Sequence, residues 1–279
     1  MSTVENSRRD NADAPVGIVD SGVGGLSVLR HVRALLPHED LVYIADSGFA
    51  PYGEKPDAHV IARTLALADY LKTLQAKAMV IACNTATAAA VHAVRERYPK
   101  WPVVGVEPGL KPAAAASVNG LVGVLATAGT LASARFAESK RMLEAGGKVR
   151  FLPAACNGLA DQVEKGELRS AATAALLERY LAPLLREGAD TVVLGCTHYP
   201  FVLPLVESLA RKHASVPIKI IDTGEAVARQ LGRVLEQCGM VRGGGPLAQL
   251  RGYTTGGETA LSTAFSRLLR LDVPVSRLV

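Results

Sequence analysis

Val80-Ile81-Ala82-Cys83-Asn84-Thr85 and Val193-Leu194-Gly195-Cys196-Thr197-His198 are two short apolar runs that each end on a cysteine followed by polar residues. Short β-branched runs of this kind, bounded by small or polar residues, read as strands buried on both faces. The same character recurs at 16–19, 41–45, 79–82, 103–106, 122–125, 149–152, 191–194 and 218–221. Between these runs lie segments of helical periodicity, such as 26–36, 57–75 and 171–186, the second with Val60, Leu65, Ala68 and Leu71 as its apolar stripe. Strand and helix in alternation predict an α/β protein, doubly wound, with mostly parallel central sheets. In such folds ligands bind beyond the carboxyl ends of the strands, so the residues after each strand are where chemistry is sought.

The two cysteine runs have matching partners upstream. Gly17-Ile18-Val19-Asp20-Ser21 precedes the first and Gly123-Val124-Leu125-Ala126-Thr127 the second, at similar separations and with a hydroxyl at the aligned fifth position. This predicts a duplicated unit: two pseudo-symmetric domains whose facing would set two cysteines across one cleft.

With 49% hydrophobic and 20% charged residues, the chain of 279 residues has the composition of a globular protein with a sizeable core. Its apolar runs fall far short of the ~20 residues a membrane helix needs, so no transmembrane segment is expected. The first fourteen residues lack the apolar centre of a signal peptide and read as a disordered leader, so the expected location is cytoplasmic. The formal charge of +5 is scattered rather than gathered in a basic stripe with aromatics, so no nucleic-acid or membrane partner is expected. Cys83, Cys156, Cys196 and Cys238 form no C-x-x-C pair, which argues against a zinc or disulfide framework.

A strand-end cysteine alone is more often an inert packing residue than a catalyst. Here each of two is followed by polar donors at the expected start of a helix, where backbone N–H groups favour a thiolate or a substrate carboxylate. A thiol with a reference pKa near 8.5 reaches both protonation states at modest cost. Two opposed thiols therefore suit removal of a proton from one face of a carbon acid and its return to the other. Cys156 and Cys238 lack such neighbours and read as packing residues. Asp20 is either a helix cap or a carboxylate that orients or deprotonates Cys83, with Ser21 on substrate. His198, two residues after Cys196, reads as its proton relay, against a structural histidine. Pro51-Tyr52-Gly53 is either a simple turn or a loop that closes on substrate. The glycine-rich 20–25 segment lacks the Lys-Ser/Thr ending of a P-loop and the spacing of a dinucleotide fingerprint.

Taken together, segments 20–25, 51–53, 83–85, 105–108, 124–127 and 195–200 resemble, in order and over nearly all the chain after residue 15, those of the bacterial glutamate racemases. The resemblance implies a two-base interconversion of L- and D-glutamate without a cofactor or a metal, supplying D-glutamate for peptidoglycan, with the active site between two α/β domains. By the same resemblance Cys83 and Cys196 are the acid/base pair, Asp20 the partner of Cys83 and His198 that of Cys196. Ser21, Tyr52, Gly53, Asn84, Thr85, Thr127 and Thr197 hold the substrate. Glu164 stands where relatives have a glutamate near the second cysteine; an exposed helical charge is the alternative. The implied domains are 15–107 with 221–279, and 108–220, after a leader of 1–14, and the family often forms homodimers. Rival readings are an aspartate or other amino-acid racemase, a cysteine hydrolase built on Cys196 and His198, and a small-anion binding module.

Overall fold

Strand β1 (Val16–Asp20) pairs in parallel with β2 (Leu41–Ala45) on one side and β3 (Ala78–Ile81) on the other, Val16 opposite both Leu41 and Ala78. Every residue of these three strands is buried, which is why they read as unbroken apolar runs rather than alternating ones. Strand β4 (Val103–Gly105) continues the sheet beyond β3. The computed structural model describes residues 12–244 and 248–278, so residues 1–11 of the expected leader lie outside the described residues.

The chain divides into two compact units, Met1–Val106 with Gly224–Val279, and Glu107–Thr223. In the second, β5 (Leu121–Ala126), β6 (Arg150–Ala155), β7 (Thr191–Gly195) and β8 (Lys219–Ile221) form a four-stranded parallel sheet in the order β6-β5-β7-β8. The first unit adds β9 (Leu250–Thr254) and β10 (Val275–Arg277), giving β10-β9-β2-β1-β3-β4, also parallel throughout. Apart from β9 and β10 the order is the same in both sheets: second strand, first, third, fourth. Each sheet therefore has a switch point between its first and third strands, where successive crossovers leave in opposite directions.

All eight expected strands are present, with ends moved by three residues at most. The largest change is β6, which runs on to Ala155 through Pro153. Proline is tolerated there because β6 is an edge strand, so a missing N–H breaks no ladder on its open side. Strands β9 and β10 have no counterpart among the expected ones.

Helices cover the sheets through their apolar faces. The helix Asp57–Thr73 buries Val60, Leu67, Ala68 and Leu71, while Leu65 is only half-buried and Thr64 takes the inner position instead. Burial of Thr64 is compatible with its hydroxyl because it donates to the Val60 carbonyl at 2.7 Å. Leu71 seats on Gly17 of β1; a Cβ at Gly17 would lie 2.3 Å from a Leu71 methyl. In the second unit Leu177, Leu181, Leu184 and Leu185 of the helix Ala171–Arg186 share a core with Leu125, Val192 and Leu194. Asp190, one residue before β7, accepts from the Ser117 hydroxyl at 2.6 Å and from the Val118 and Asn119 amides at 2.7 and 2.8 Å. Burial would raise its carboxyl, but these hydrogen bonds outweigh it and hold the pKa below the ordinary value. The loop entering β5 is thereby tied to the start of β7. Among the described residues no helix is long and apolar enough to cross a membrane.

Leu71→Ala removes a fully buried side chain whose place Gly17 cannot refill. Denaturant unfolding should show a loss of about 2–5 kcal/mol; a change within error would mean that the first sheet does not depend on this helix.

Candidate active site

The carboxyl ends of β1 and β3 bring together residues 62 positions apart in the chain. Val19 is level with Ile81, so two steps further Ser21 is level with Cys83, and the Ser21 hydroxyl lies 3.8 Å from the Cys83 Sγ. Cys83 stands at the N-terminus of the helix Asn84–Arg97, and its sulfur accepts from the Ala86 amide at 3.4 Å. That amide and the aligned peptide dipoles favour negative charge on the sulfur. Asp20 is buried, and its carboxylate turns back to accept from the Gly22 amide at 2.7 Å, while the Tyr43 hydroxyl donates to the Gly22 carbonyl at 2.7 Å. Gly25 lets this loop close: a Cβ there would come within 2.8 Å of the Asp20 Cβ and 3.0 Å of the Ala82 Cβ. Asn84 and Thr85 are both buried. Both polar atoms of the Asn84 amide are shielded from solvent without a hydrogen-bond partner among the described residues. A buried amide in that state costs about 1–3 kcal/mol unless a ligand satisfies it.

Tyr52 opens a short 3-10 turn, Tyr52–Glu54, that also contains Gly53. The phenol is buried and donates to Asp46 at 2.5 Å. Burial first, then the Asp46 carboxylate, drives its pKa far above the ordinary value, so Tyr52 remains a neutral donor. A negative Cys83 would push it the same way, which places the two groups within electrostatic reach. Asp46 itself is a hub. Besides the Tyr52 phenol, it accepts two hydrogen bonds from the Arg63 guanidinium, at 2.8 and 2.9 Å, and one from the Thr255 hydroxyl at 2.9 Å. The Arg63 guanidinium also lies over the Phe49 ring, 3.6 Å from its centroid. Sequence reasoning missed Asp46 and Arg63. Asp46 could have been found, since it directly follows β2 and so falls under the same strand-end rule; Arg63 was one charge among several on a helix.

In the second unit the pairing repeats with different neighbours. Ala126 is level with Gly195, so one step on Thr127 is level with Cys196 as Ser21 is with Cys83. Thr127 caps the helix Ala128–Ala132, accepting from the Thr130 amide at 3.2 Å. Cys196 does not begin a helix, contrary to expectation. A 3-10 turn, Tyr199–Val202, intervenes before the helix Leu203–His213, with Pro200 and Pro204 near the two starts. Its charge partner is instead His198, whose Nδ1 lies 3.5 Å from the Cys196 sulfur and whose Nε2 lies 2.6 Å from a Glu164 oxygen. Burial would lower the His198 pKa, but Cys196 and Glu164 outweigh it and hold the value well above the ordinary one. Glu164 is thus joined to the cysteine through the histidine rather than standing as a free helical charge. Thr197 is buried beside them in sequence. Cys156 is buried, and desolvation together with Cys196 pushes its thiol up to about 12, so it stays neutral. Cys238 is exposed, where packing was expected. Among the described residues no group of three or more His, Cys, Asp or Glu side chains is gathered to hold a metal.

The family model for Asp/Glu/hydantoin racemases matches residues 26–231. The chain is 54% identical to the glutamate racemase of Ectopseudomonas mendocina over 228 residues, which is 82% of this chain and 84% of that one. Its structure is similar to that of a glutamate racemase isoform of Bacillus anthracis, with a TM-score of 0.84 and 32% identity over 95% of this chain and 97% of that one. It is also similar to the Escherichia coli glutamate racemase in complex with L-glutamate and the activator UDP-MurNAc-ala, with a TM-score of 0.79 and 30% identity over 95% and 98% of the two chains.

Because the folded-state pKa of His198 is raised, its pairing stabilises the fold fully below the unfolded value of about 6.5, and that contribution is lost as pH rises through the folded value. Glu164→Gln should therefore lower stability by about 1 kcal/mol near pH 6, with the difference shrinking at alkaline pH. Denaturation of both proteins across pH tests this; a difference that grew with pH would show that Glu164 does not support the imidazolium.

Proposed function

The chain belongs to the Asp/Glu/hydantoin racemase family, and from that membership we infer that it is an isomerase interconverting L-glutamate and D-glutamate. The observation that carries the chemistry is the repeated strand-end thiol: Cys83 and Cys196 each follow the third strand of their own sheet, level with a hydroxyl residue on the first. We propose that these thiols are the two bases, acting on opposite faces of one α-carbon.

In the proposed reaction one cysteine, as thiolate, takes the α-proton; the S–H bond forms, the C–H bond breaks and the electron pair delocalises into the substrate carboxylate. The other cysteine, as thiol, gives its proton to the opposite face, and the roles are exchanged for the reverse direction. No oxidant, metal or cofactor is consumed. Helix amides and Ser21 support charge on Cys83, and the imidazolium of His198, oriented by Glu164, supports it on Cys196. Asp20 is proposed as the partner of Cys83. Asn84 is proposed to satisfy its buried amide on the substrate, with Ser21, Tyr52, Gly53, Thr85, Thr127 and Thr197 completing the hold on its amino and carboxylate groups. The binding of L-glutamate by the Escherichia coli relative supports glutamate as substrate. The reading extends to a cytoplasmic homodimer that supplies D-glutamate for peptidoglycan.

Circular dichroism of L-glutamate incubated with the protein should decay to zero, with L-aspartate unchanged and deuterium entering the α-position in D₂O. Cys83→Ala and Cys196→Ala should each lower the rate by about 10³-fold or more with far-ultraviolet dichroism intact. Loss of the aspartate signal alone would move the substrate, a fully active variant would remove the two-base assignment, and silence towards both substrates would favour a binding module.

A further inference from the structure

Asp46 directly follows β2 and is fully buried, and its two oxygens accept four hydrogen bonds. Oδ2 takes the Tyr52 phenol and the Arg63 Nε, while Oδ1 takes the Arg63 Nη2 and the Thr255 hydroxyl. Of these three partners only Arg63 carries a charge. A carboxylate shut away from water depends on such a partner, because removing the cation from a buried pair leaves a charge that nothing compensates.

Arg63, on the helix Asp57–Thr73, grips the loop after β2 at two points. Its planar fork spans both Asp46 oxygens, and the same guanidinium rests on the face of Phe49, a cation on an aromatic ring. Phe49 closes the 3-10 turn Ser47–Phe49, and its amide donates to the Asp46 carbonyl at 2.9 Å. The Thr255 hydroxyl accepts from the Gly48 amide at 3.0 Å while it donates to Asp46. Tyr52 is then tied back to the carboxylate at which the loop began. Residues 46–52 are thus a closed loop, and its one charged fastener is Arg63.

The Asp46 amide donates to the Asp20 carbonyl at 2.9 Å, which sets this carboxylate beside the strand end that leads to Ser21 and, across from it, Cys83. Glutamate brings two carboxylates and one ammonium, a net negative charge. An unmatched Asp46 would therefore oppose both the substrate and a thiolate on Cys83. We propose that Arg63 is a positioning residue of this site: acting through Asp46, it cancels the buried charge and fixes the loop carrying Tyr52 and Gly53 against an anionic substrate. The assignment rests on the glutamate reading above and adds to it a residue that lies on a helix rather than at a strand end.

Three variants separate charge from geometry: Arg63→Gln, Arg63→Lys, and the double variant Asp46→Asn, Arg63→Gln. Lysine keeps the charge but cannot span both oxygens, and the double variant has no charge left to balance. Racemisation rates would be followed against glutamate concentration for the full-length protein and each variant, below the melting transition of each. Arg63→Gln should raise KM about tenfold or more with a smaller fall in kcat, Arg63→Lys should recover part of that loss, and the double variant should have a lower KM than Arg63→Gln alone. A merely structural role would lower the melting temperature and leave the KM of the folded protein where it was. An unchanged KM in Arg63→Gln, or a double variant with a KM no lower than that of the single one, would overturn the proposal alone. Failure of the unsubstituted protein to racemise glutamate would overturn it together with the reading on which it rests.

Discussion

Parallel pairing of the first and third strands in each sheet is the constraint on which the site depends. Backbone hydrogen bonds between β1 and β3 fix the register that puts Ser21 level with Cys83, and those between β5 and β7 do the same for Thr127 and Cys196. A slip of one residue would turn every side chain of these strands to the other face of its sheet. With all residues of β1 and β3 buried, such a slip has nowhere to put them, so packing and the placement of the strand-end residues are enforced by the same contacts. The proposed chemistry then needs only residues that lie just past the last ladder bond, where backbone amides are open to a ligand.

What is added to this frame is polar burial, and each case is resolved differently. Asp46 has its negative charge matched by the Arg63 guanidinium and shares further hydrogen bonds with Tyr52 and Thr255, so a short loop is held by a closed network. His198 is kept cationic against desolvation by an anion or polarisable sulfur on either side. Asn84 is matched by nothing among the described residues, and its helix begins beside Cys83. Closed networks rigidify the surroundings, and the open one is where the proposed reading puts the substrate.

The inner strands were legible because burial on both faces leaves an uninterrupted apolar run, as in residues 41–45 and 192–194. Strand β9, Leu250-Arg251-Gly252-Tyr253-Thr254, carries an arginine and a glycine, and β10 has only three residues. Strand β9 takes its conformation from pairing with the distant β2, and β10 from pairing with β9, rather than from their own patterns. In the site, the cysteines and His198 stood out by short-range spacing. The contact of Glu164 with His198 spans 34 positions, and that of Thr255 with Asp46 spans 209. Nothing in local periodicity encodes contacts of that range. The helix expected directly after Cys196 failed for a local reason, the two prolines that set a tighter turn first.

The two thiols have unlike settings, a helix terminus for Cys83 and a buried imidazolium for Cys196. Enantiomers are equal in free energy, so whatever catalyses their exchange must have the same kcat/KM for both at every pH. The structural asymmetry is therefore hidden from that ratio. In the proposed two-base cycle it would surface in the separate constants, because there the resting protein divides between two protonation forms, each receptive to one enantiomer. At high substrate concentration the return from one form to the other becomes a step of the cycle in its own right, governed by how unequally the two settings hold a proton.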